Sequence, residues 1–234
     1  MVVEAETTDN KYSKFKIKQS HCAHGDSRYR KQTINVAFYD AEGGLRERIE
    51  RVNIERNETT EIEKCKDKQV PAAVLLNSED WGFGHFHLDD AALKVFEGKL
   101  SKVQSALDRN VVLGQIICMM RQIEYPATKL TTIMNQLQDE KNQNLINALH
   151  AACAQAVALY LPTEAIPTFK KEVADFFLKK AKKDASNKDL QVFCIDKAVE
   201  FIAEQANLKM AADWINNGKI TVDGDALNCE LTNQ

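Results

Sequence analysis

No Cys-x-x-Cys pair occurs in this 234-residue chain, whose six cysteines, Cys22, Cys65, Cys118, Cys153, Cys194 and Cys229, stand singly and far apart. That pattern reads as free thiols in a reducing compartment. No apolar run approaches the roughly 18 residues that cross a bilayer. The opening Met-Val-Val-Glu-Ala-Glu has neither the basic nor the apolar region of a secretory leader. A cytoplasmic protein without a membrane partner is therefore expected. Charge of one sign is also missing: 31 basic and 34 acidic residues leave a net charge of -3, without a cluster that would suit nucleic acid. Several catalytic signatures are absent, among them G-x-S-x-G, the P-loop and G-x-G-x-x-G. Gly82-Phe83-Gly84 lacks the helix start that a phosphate loop requires. None of the five histidines is followed by Glu, which excludes H-E-x-x-H and its two helical zinc ligands flanking a general base.

What the chain has is a change of periodicity. Up to about residue 75 it alternates as strands do, and from Asp89 onward it repeats as helices do. In Tyr12 to Lys18, Phe15 and Ile17 alternate with lysines, and order is expected to begin there, after a polar residue 1 to 11 segment. In Thr33 to Tyr39, Ile34, Val36 and Phe38 share one face, and Asp40-Ala-Glu-Gly-Gly44 supplies a hairpin turn. The returning arm, Leu45 to Ile54, also fits a helix through Leu45, Ile49 and Val52, but the turn before it and Thr59 to Ile62 after it favour strand. Helices are expected from Asp89 to Gly98, from Leu107 to Arg121, behind Pro126, and from Leu145 until Pro162 stops the helix. Further ones follow over about 167 to 182, 188 to 205 and 207 to 217. The helix over Leu107 to Arg121 is apolar on nearly all sides and should be enclosed. Ile220 to Leu231 reads as a loop and the first turn of a helix. The fold class is thus α+β: a small antiparallel β-sandwich or sheet over 1-75, then over 76-234 an antiparallel helical array, an irregular α-solenoid truncated at its C-terminal end. Val70 to Asp89 is the hinge between them.

Few residues invite chemistry. His21-Cys22-Ala23-His24 and His85-Phe86-His87 could assemble a zinc site if they met, yet neither spacing is that of a known structural site, and surface histidines are the simpler account. His150 lies within an amphipathic helix and reads as half-buried rather than as ligand or base. Lys179-Lys-Ala-Lys-Lys183 reads as a solvated helix C-terminus, where the dipole favours cations, rather than a site for an acidic partner.

Taken in order, Lys14 to Gln19, Arg30 to Asp40, Pro71-Ala-Ala-Val-Leu-Leu-Asn77 and Gly82-Phe-Gly-His-Phe-His-Leu-Asp89 resemble the later part of the aminopeptidase N family of zinc metallopeptidases, which includes the puromycin-sensitive and actinobacterial aminopeptidases. Leu107-Asp-Arg109, Met120-Arg121 and Ala211 to Gly218 extend the likeness to about residues 12 to 230. Phe83 stands where the family has an aromatic, usually Tyr, and His87 where its bacterial branch prefers Arg. The resemblance implies a β-sandwich leading into a helical domain that encloses the peptide-binding cavity during hydrolysis of N-terminal residues. It also implies that the family's catalytic domain and zinc site have no counterpart here, so no catalytic residue is carried over and no cofactor is expected in this chain. Asn77, Gly82, Phe83, Asp89, Arg109 and Arg121 are the residues it assigns to the junction, the glycine for a tight turn and the charged groups for capping or pairing. The implied partner is a catalytic aminopeptidase domain or a full-length relative, with peptides bound only in that context. A free-standing helical module for protein interaction is the alternative.

Overall fold

The computed structural model describes residues 1–20, 28–183, 187–202, 219–222 and 225–230. It is an α+β protein of antiparallel sheets and helices that divides into two compact units, Met1–Tyr125 and Pro126–Gln234.

In the first unit, strands β1 (Val2–Thr8) and β2 (Lys11–Lys18) pair along their length. Strands β3 (Gln32–Tyr39) and β4 (Leu45–Ile54) form the expected hairpin, and β5 (Thr59–Glu61) and β6 (Ala73–Ser78) complete two three-stranded antiparallel sheets, ordered β1-β2-β5 and β4-β3-β6. Phe15 and Ile17 from one sheet meet Ile34, Val36, Phe38, Ile49 and Val52 from the other in a single buried cluster. Tyr12 and Phe15 pack edge to face at 5.0 Å, with Phe38 5.8 Å from Tyr12, a geometry that adds about 0.5–1.5 kcal/mol per pair beyond area burial. Residues 1 to 11 depart from the expectation of a disordered lead. Val2 and Val3 favour strand, and the charged residues that make the segment look solvated find opposite charges across β2, Lys18 lying 3.3 Å from Glu4 and Lys14 3.9 Å from Glu6.

The turn between β3 and β4 places Gly43 at φ 81°, where a side chain would be strained, and Asp40 Oδ1 accepts from the backbone N–H of Glu42 and of Gly44, each at 2.8 Å. The helix-like spacing of Ile49 and Val52 has a simple origin. Arg51 adopts φ 51° in a bulge, so Val52 pairs with Ile34 and Ile49 with Val36, and two residues of β4, Glu50 and Arg51, oppose one of β3, Asn35.

Strand β3 is buried on both faces. Ala37 and Tyr39 point away from the sandwich core, and their side of the sheet is covered by helices α1 (Asp90–Lys99) and α2 (Ala106–Arg121), with the Tyr39 and Phe96 rings 5.5 Å apart. Helix α2 is buried around most of its girth, as its apolar composition requires.

The second unit holds α3 (Leu130–Gln136), α4 (Gln143–Gln155) with a π-helical turn at Ala156–Tyr160, α5 (Ile166–Lys183) and α6 (Lys188–Val199). Asn142 and Asn187 cap α4 and α6 by accepting from backbone N–H groups one turn ahead. The helix expected over about 207 to 217 lies outside the described residues. Lys219–Val222 and Asp225–Glu230 form an antiparallel pair, β7 and β8, and not the loop and helical turn expected there. The β-branched run Ile220, Thr221 and Val222 favours a strand, which pairing with a second segment then stabilises.

Glu140, His150, Lys180 and Gln191 are buried polar residues of this unit, and two of them can carry a positive charge. Lys180 is 0% exposed, and its ammonium donates to the carbonyls of Gln138 (3.1 Å) and Glu140 in the connection between α3 and α4, which corrects the reading of a fully solvated lysine run. The two carbonyls belong to a connection with no helical partners for them, and the long lysine stem crosses apolar surface to reach them. His150 is packed edge-on by Phe177 (5.7 Å) and Phe201 (5.4 Å), with Nε2 3.0 Å from the Glu200 carboxylate. Burial pushes its pKa below 6.5, against the opposing pull of Glu200. The folded state therefore binds fewer protons than the unfolded one, so the stabilising contribution is complete above the unfolded value near 6.5 and is lost as pH falls through the lower folded value. Chemical denaturation at pH 7.5 and 5.5 should give a lower unfolding free energy at the acid value, and His150→Gln should narrow that difference.

Candidate functional site

Strand β6 passes into α1 through Asn77 to Asp89, and this segment is built on left-handed backbone. Asn77 (φ 62°), Glu79 (φ 65°) and Asp80 (φ 57°) all occupy a region that Asn tolerates and other residues enter at a cost. Asn77 is the extra residue of a second bulge: Ser78 pairs with Asn35 while Leu76 pairs with Val36. The bulge turns Ser78 from the sandwich face to the helix face. The Asn77 amide then ties down the loop, accepting from Gly82 N–H at 2.6 Å and donating to Gly82 O and to Asp80 Oδ1, each at 3.1 Å. Gly82 is required by close approach, since a Cβ there would lie 2.5 Å from Ile34 Cγ2 and 2.8 Å from Gln32 Oε1. Gln32 Oε1 also accepts from Phe83 N–H at 3.0 Å. The loop is thereby fixed while the rings it carries are not covered: Trp81 is 72% exposed and Phe83 86%.

Behind the loop lies a buried carboxylate that the sequence reading did not single out. Asp108, in the first turn of α2, is 0% exposed. It accepts from Tyr39 OH (2.7 Å), Arg48 Nη2 (2.8 Å), Ser78 OH (2.9 Å) and Glu79 N–H (2.9 Å). These donors come from β3, β4 and β6, so one side chain fastens all three strands of the sheet to one helix. Arg48 also lies 3.2 Å from Glu79. Burial and then the bond to Asp108 hold the Tyr39 phenol above its usual pKa. Burial works against the Arg48 charge, but the bond and charge of Asp108 outweigh it and the guanidinium pKa is raised. A local signal was present in Ser105-Ala-Leu-Asp108, a cap spacing in which Ser105 Oγ accepts from Asp108 N–H at 3.1 Å.

The residues assigned from the resemblance are only partly brought together. Asn77 and Gly82 are bonded to each other with Phe83 beside them, and Asp89 caps α1 by accepting from Ala92 N–H at 2.7 Å. Arg109 donates to the carbonyls of Val103 (2.7 Å) and Gln104 (3.0 Å) ahead of α2. Arg121 is at the opposite end of that helix, about 18 Å along the axis from Arg109. His85 Nδ1 lies 2.6 Å from the Gln122 side chain and His87 Nδ1 3.1 Å from Glu124. His21 and His24 lie outside the described residues. Among the described residues no three His, Cys, Asp or Glu side chains come together as a metal site. Burial pushes the thiols of Cys65 and Cys153 up to about 12 and that of Cys194 up to about 11, so all three are protonated and unreactive at neutral pH. No helix among the described residues is long and apolar enough to cross a membrane.

Beside the loop is a cleft of about 200 Å³ whose lining includes Asn77, Asp80, Gly84, Phe86, Gln115 and Cys118. The site as a whole is therefore a rigid strand-to-helix junction with a small cleft, and its bonded groups serve structure: the Ser78 hydroxyl is spent on Asp108 and Arg48.

No family model matches the chain. It is similar to aminopeptidase N of Streptomyces lividans, with 27% identity over 216 residues, which is 89% of this chain and 25% of that protein. The chain thus spans about a quarter of the length of the curated relative it matches.

Two substitutions test the junction. Asp108→Ala leaves Arg48 and Tyr39 without their acceptor and should lower the unfolding free energy by about 3 kcal/mol, the lower end of what breaking a buried pair costs because Arg48 retains some solvent. Gly82→Ala should cost about 1–3 kcal/mol through overpacking against Ile34. Both are read from urea denaturation, and a loss within about 0.5 kcal/mol, the range of ordinary surface substitutions, would contradict the corresponding contact.

Proposed function

We propose that this chain is a non-catalytic portion, or a truncated homologue, of a zinc-dependent aminopeptidase, corresponding to the β-sandwich and the start of the helical domain. Its role is to support and enclose the cavity in which peptide N-termini are hydrolysed. The observation that carries this reading is the alignment with the Streptomyces lividans enzyme, which runs through nearly all of this chain and only a quarter of that one. The rigid passage from sandwich to helix, with its bulge at Asn77 and its capping Asp89, is consistent with a support. Enclosure of such a cavity excludes bulk water and limits substrate size. The sequence contains no H-E-x-x-H, and among the described residues none are grouped to hold zinc. On this reading both zinc and the hydrolytic step belong to a catalytic partner outside this sequence, supplied by the same polypeptide or by another.

The purified chain is expected to release no arylamine from aminoacyl-arylamides. Mixed with a form of the Streptomyces lividans enzyme from which the aligned region has been deleted, it should co-sediment with that protein and raise its hydrolysis of short peptides. Chelator-sensitive turnover by the chain alone would overturn the reading. Association without any change in hydrolysis would favour the alternative, a free-standing helical interaction module.

A further inference from the structure

At one end of the sandwich, the segments that lead into β3 and out of β4 bring basic residues together. In the antiparallel register Gln32 faces Ile54 and Thr33 faces Asn53. One step further out, Lys31 meets Glu55 in an ion pair at 3.4 Å, in keeping with that register. The next step sets Arg30 against Arg56. Like charges directly opposite one another are destabilising in an antiparallel pair. A buried amide nevertheless holds both segments there. Gln19, 5% exposed and next in sequence after β2, donates through Nε2 to Arg30 O (3.1 Å), Glu55 O (2.9 Å) and Asn57 O (3.2 Å), and its Oε1 accepts from Arg30 N–H at 3.3 Å. The nearby carboxylates are engaged with lysines, Glu55 with Lys31 and Glu58 with Lys18 at 3.7 Å. Among the described residues, no carboxylate lies within ion-pair distance of Arg30 or Arg56.

Arg28, Tyr29, Arg30, Lys31 and Arg56 line a pocket of about 350 Å³, a size within the roughly 300–1,000 Å³ of small-molecule sites. Four of these five side chains are cations, so the complementary occupant is an anion. Which anion follows from the donors. Three of the four cations are arginines, whose planar forks donate paired N–H bonds to carboxylate or phosphate. A carboxylate has two oxygens and one charge, which one fork satisfies. A phosphate monoester offers three oxygens and nearly two charges at neutral pH, so it can accept from two arginines that face one another. Tyr29, half-buried in the lining, adds a ring surface for the organic part of such an ester. With a net charge of -3, the chain lacks the broad basic surface that a nucleic-acid backbone demands, which leaves a small ligand. We infer that this pocket binds the phosphate group of a small ligand, with Arg30 and Arg56 donating to it and Arg28 and Lys31 adding positive potential around it. The inference rests on the pocket and stands apart from the aminopeptidase reading.

The test titrates the full chain by calorimetry at pH 7.5 with inorganic phosphate, phenyl phosphate and benzoate. Saturable binding of phenyl phosphate is expected, at least about tenfold tighter than that of benzoate, a difference of one charge-assisted hydrogen bond. Phenyl phosphate binding more tightly than inorganic phosphate identifies an ester as the ligand, and equal binding identifies the free ion; both support the site. Arg30→Gln and Arg56→Gln should each weaken phenyl phosphate binding by about tenfold or more. Each should do so without lowering the Tm of the ligand-free chain, because each relieves the opposed charges. Lys94→Gln, which removes an exposed cation of α1, should leave the affinity unchanged. The proposal is overturned by no saturation with phenyl phosphate, by equal binding of benzoate, by unchanged affinity in both arginine variants, or by an equal loss in Lys94→Gln. It is also overturned if a single-stranded oligonucleotide binds at the same arginines and phenyl phosphate does not displace it.

Discussion

A single buried carboxylate organises the first unit. Taking Asp108 out of water costs several kcal/mol, and that cost is offset only because four donors converge on it, one of them the Arg48 guanidinium. Its place in the first turn of α2 adds the favourable end of the helix dipole. Since the donors belong to three strands, the carboxylate fixes the helix against the sheet at three separated points. Apolar packing alone resists such sliding poorly, because it is not directional.

The two bulges take their meaning from this arrangement. A strand of strict alternation would send Ser78 into the sandwich core with Val74 and Leu76. The left-handed Asn77 inserts one residue, and Ser78 and the Glu79 amide face Asp108 instead. The same residue then closes the loop through Gly82, so the backbone strain at Asn77, Glu79 and Asp80 is held by bonds on both sides. The result is a junction whose exposed rings and small cleft are presented on fixed backbone. The similarity to aminopeptidase N of Streptomyces lividans takes in this junction as part of an alignment over 89% of the chain and 25% of that protein.

The second unit handles buried polarity differently. Lys180 and His150 sit among apolar helices, one satisfied by two backbone carbonyls and the other edged by two phenyl rings beside Glu200. Both lose favour for their charged forms through burial. The unit's stability is thus tied to protonation, whereas its buried thiols, Cys153 and Cys194, stay protonated and take no part.

By itself the sequence determined which stretches are strand and which are helix wherever apolar residues repeat with a clear period. The lysine-flanked Phe15 and Ile17, the hairpin at Asp40 to Gly44 and the stripes of α3, α4 and α5 are all local patterns, set by backbone geometry within a few residues. It also determined that no H-E-x-x-H motif could operate in this chain. Tertiary structure alone decided the rest. Leu45 to Ile54 is strand, as its flanking segments indicate, but the bulge that puts Ile49 and Val52 on one face exists only against β3, and the charged segment at Glu4 and Glu6 became β1 only through lysines across the sheet. The pair β7 and β8 likewise needed each other. Asp108 looked like one more acidic residue at a helix start, because its donors lie 29 to 69 positions away. A buried charge is recognised by what surrounds it, and those surroundings exist only once the chain has folded.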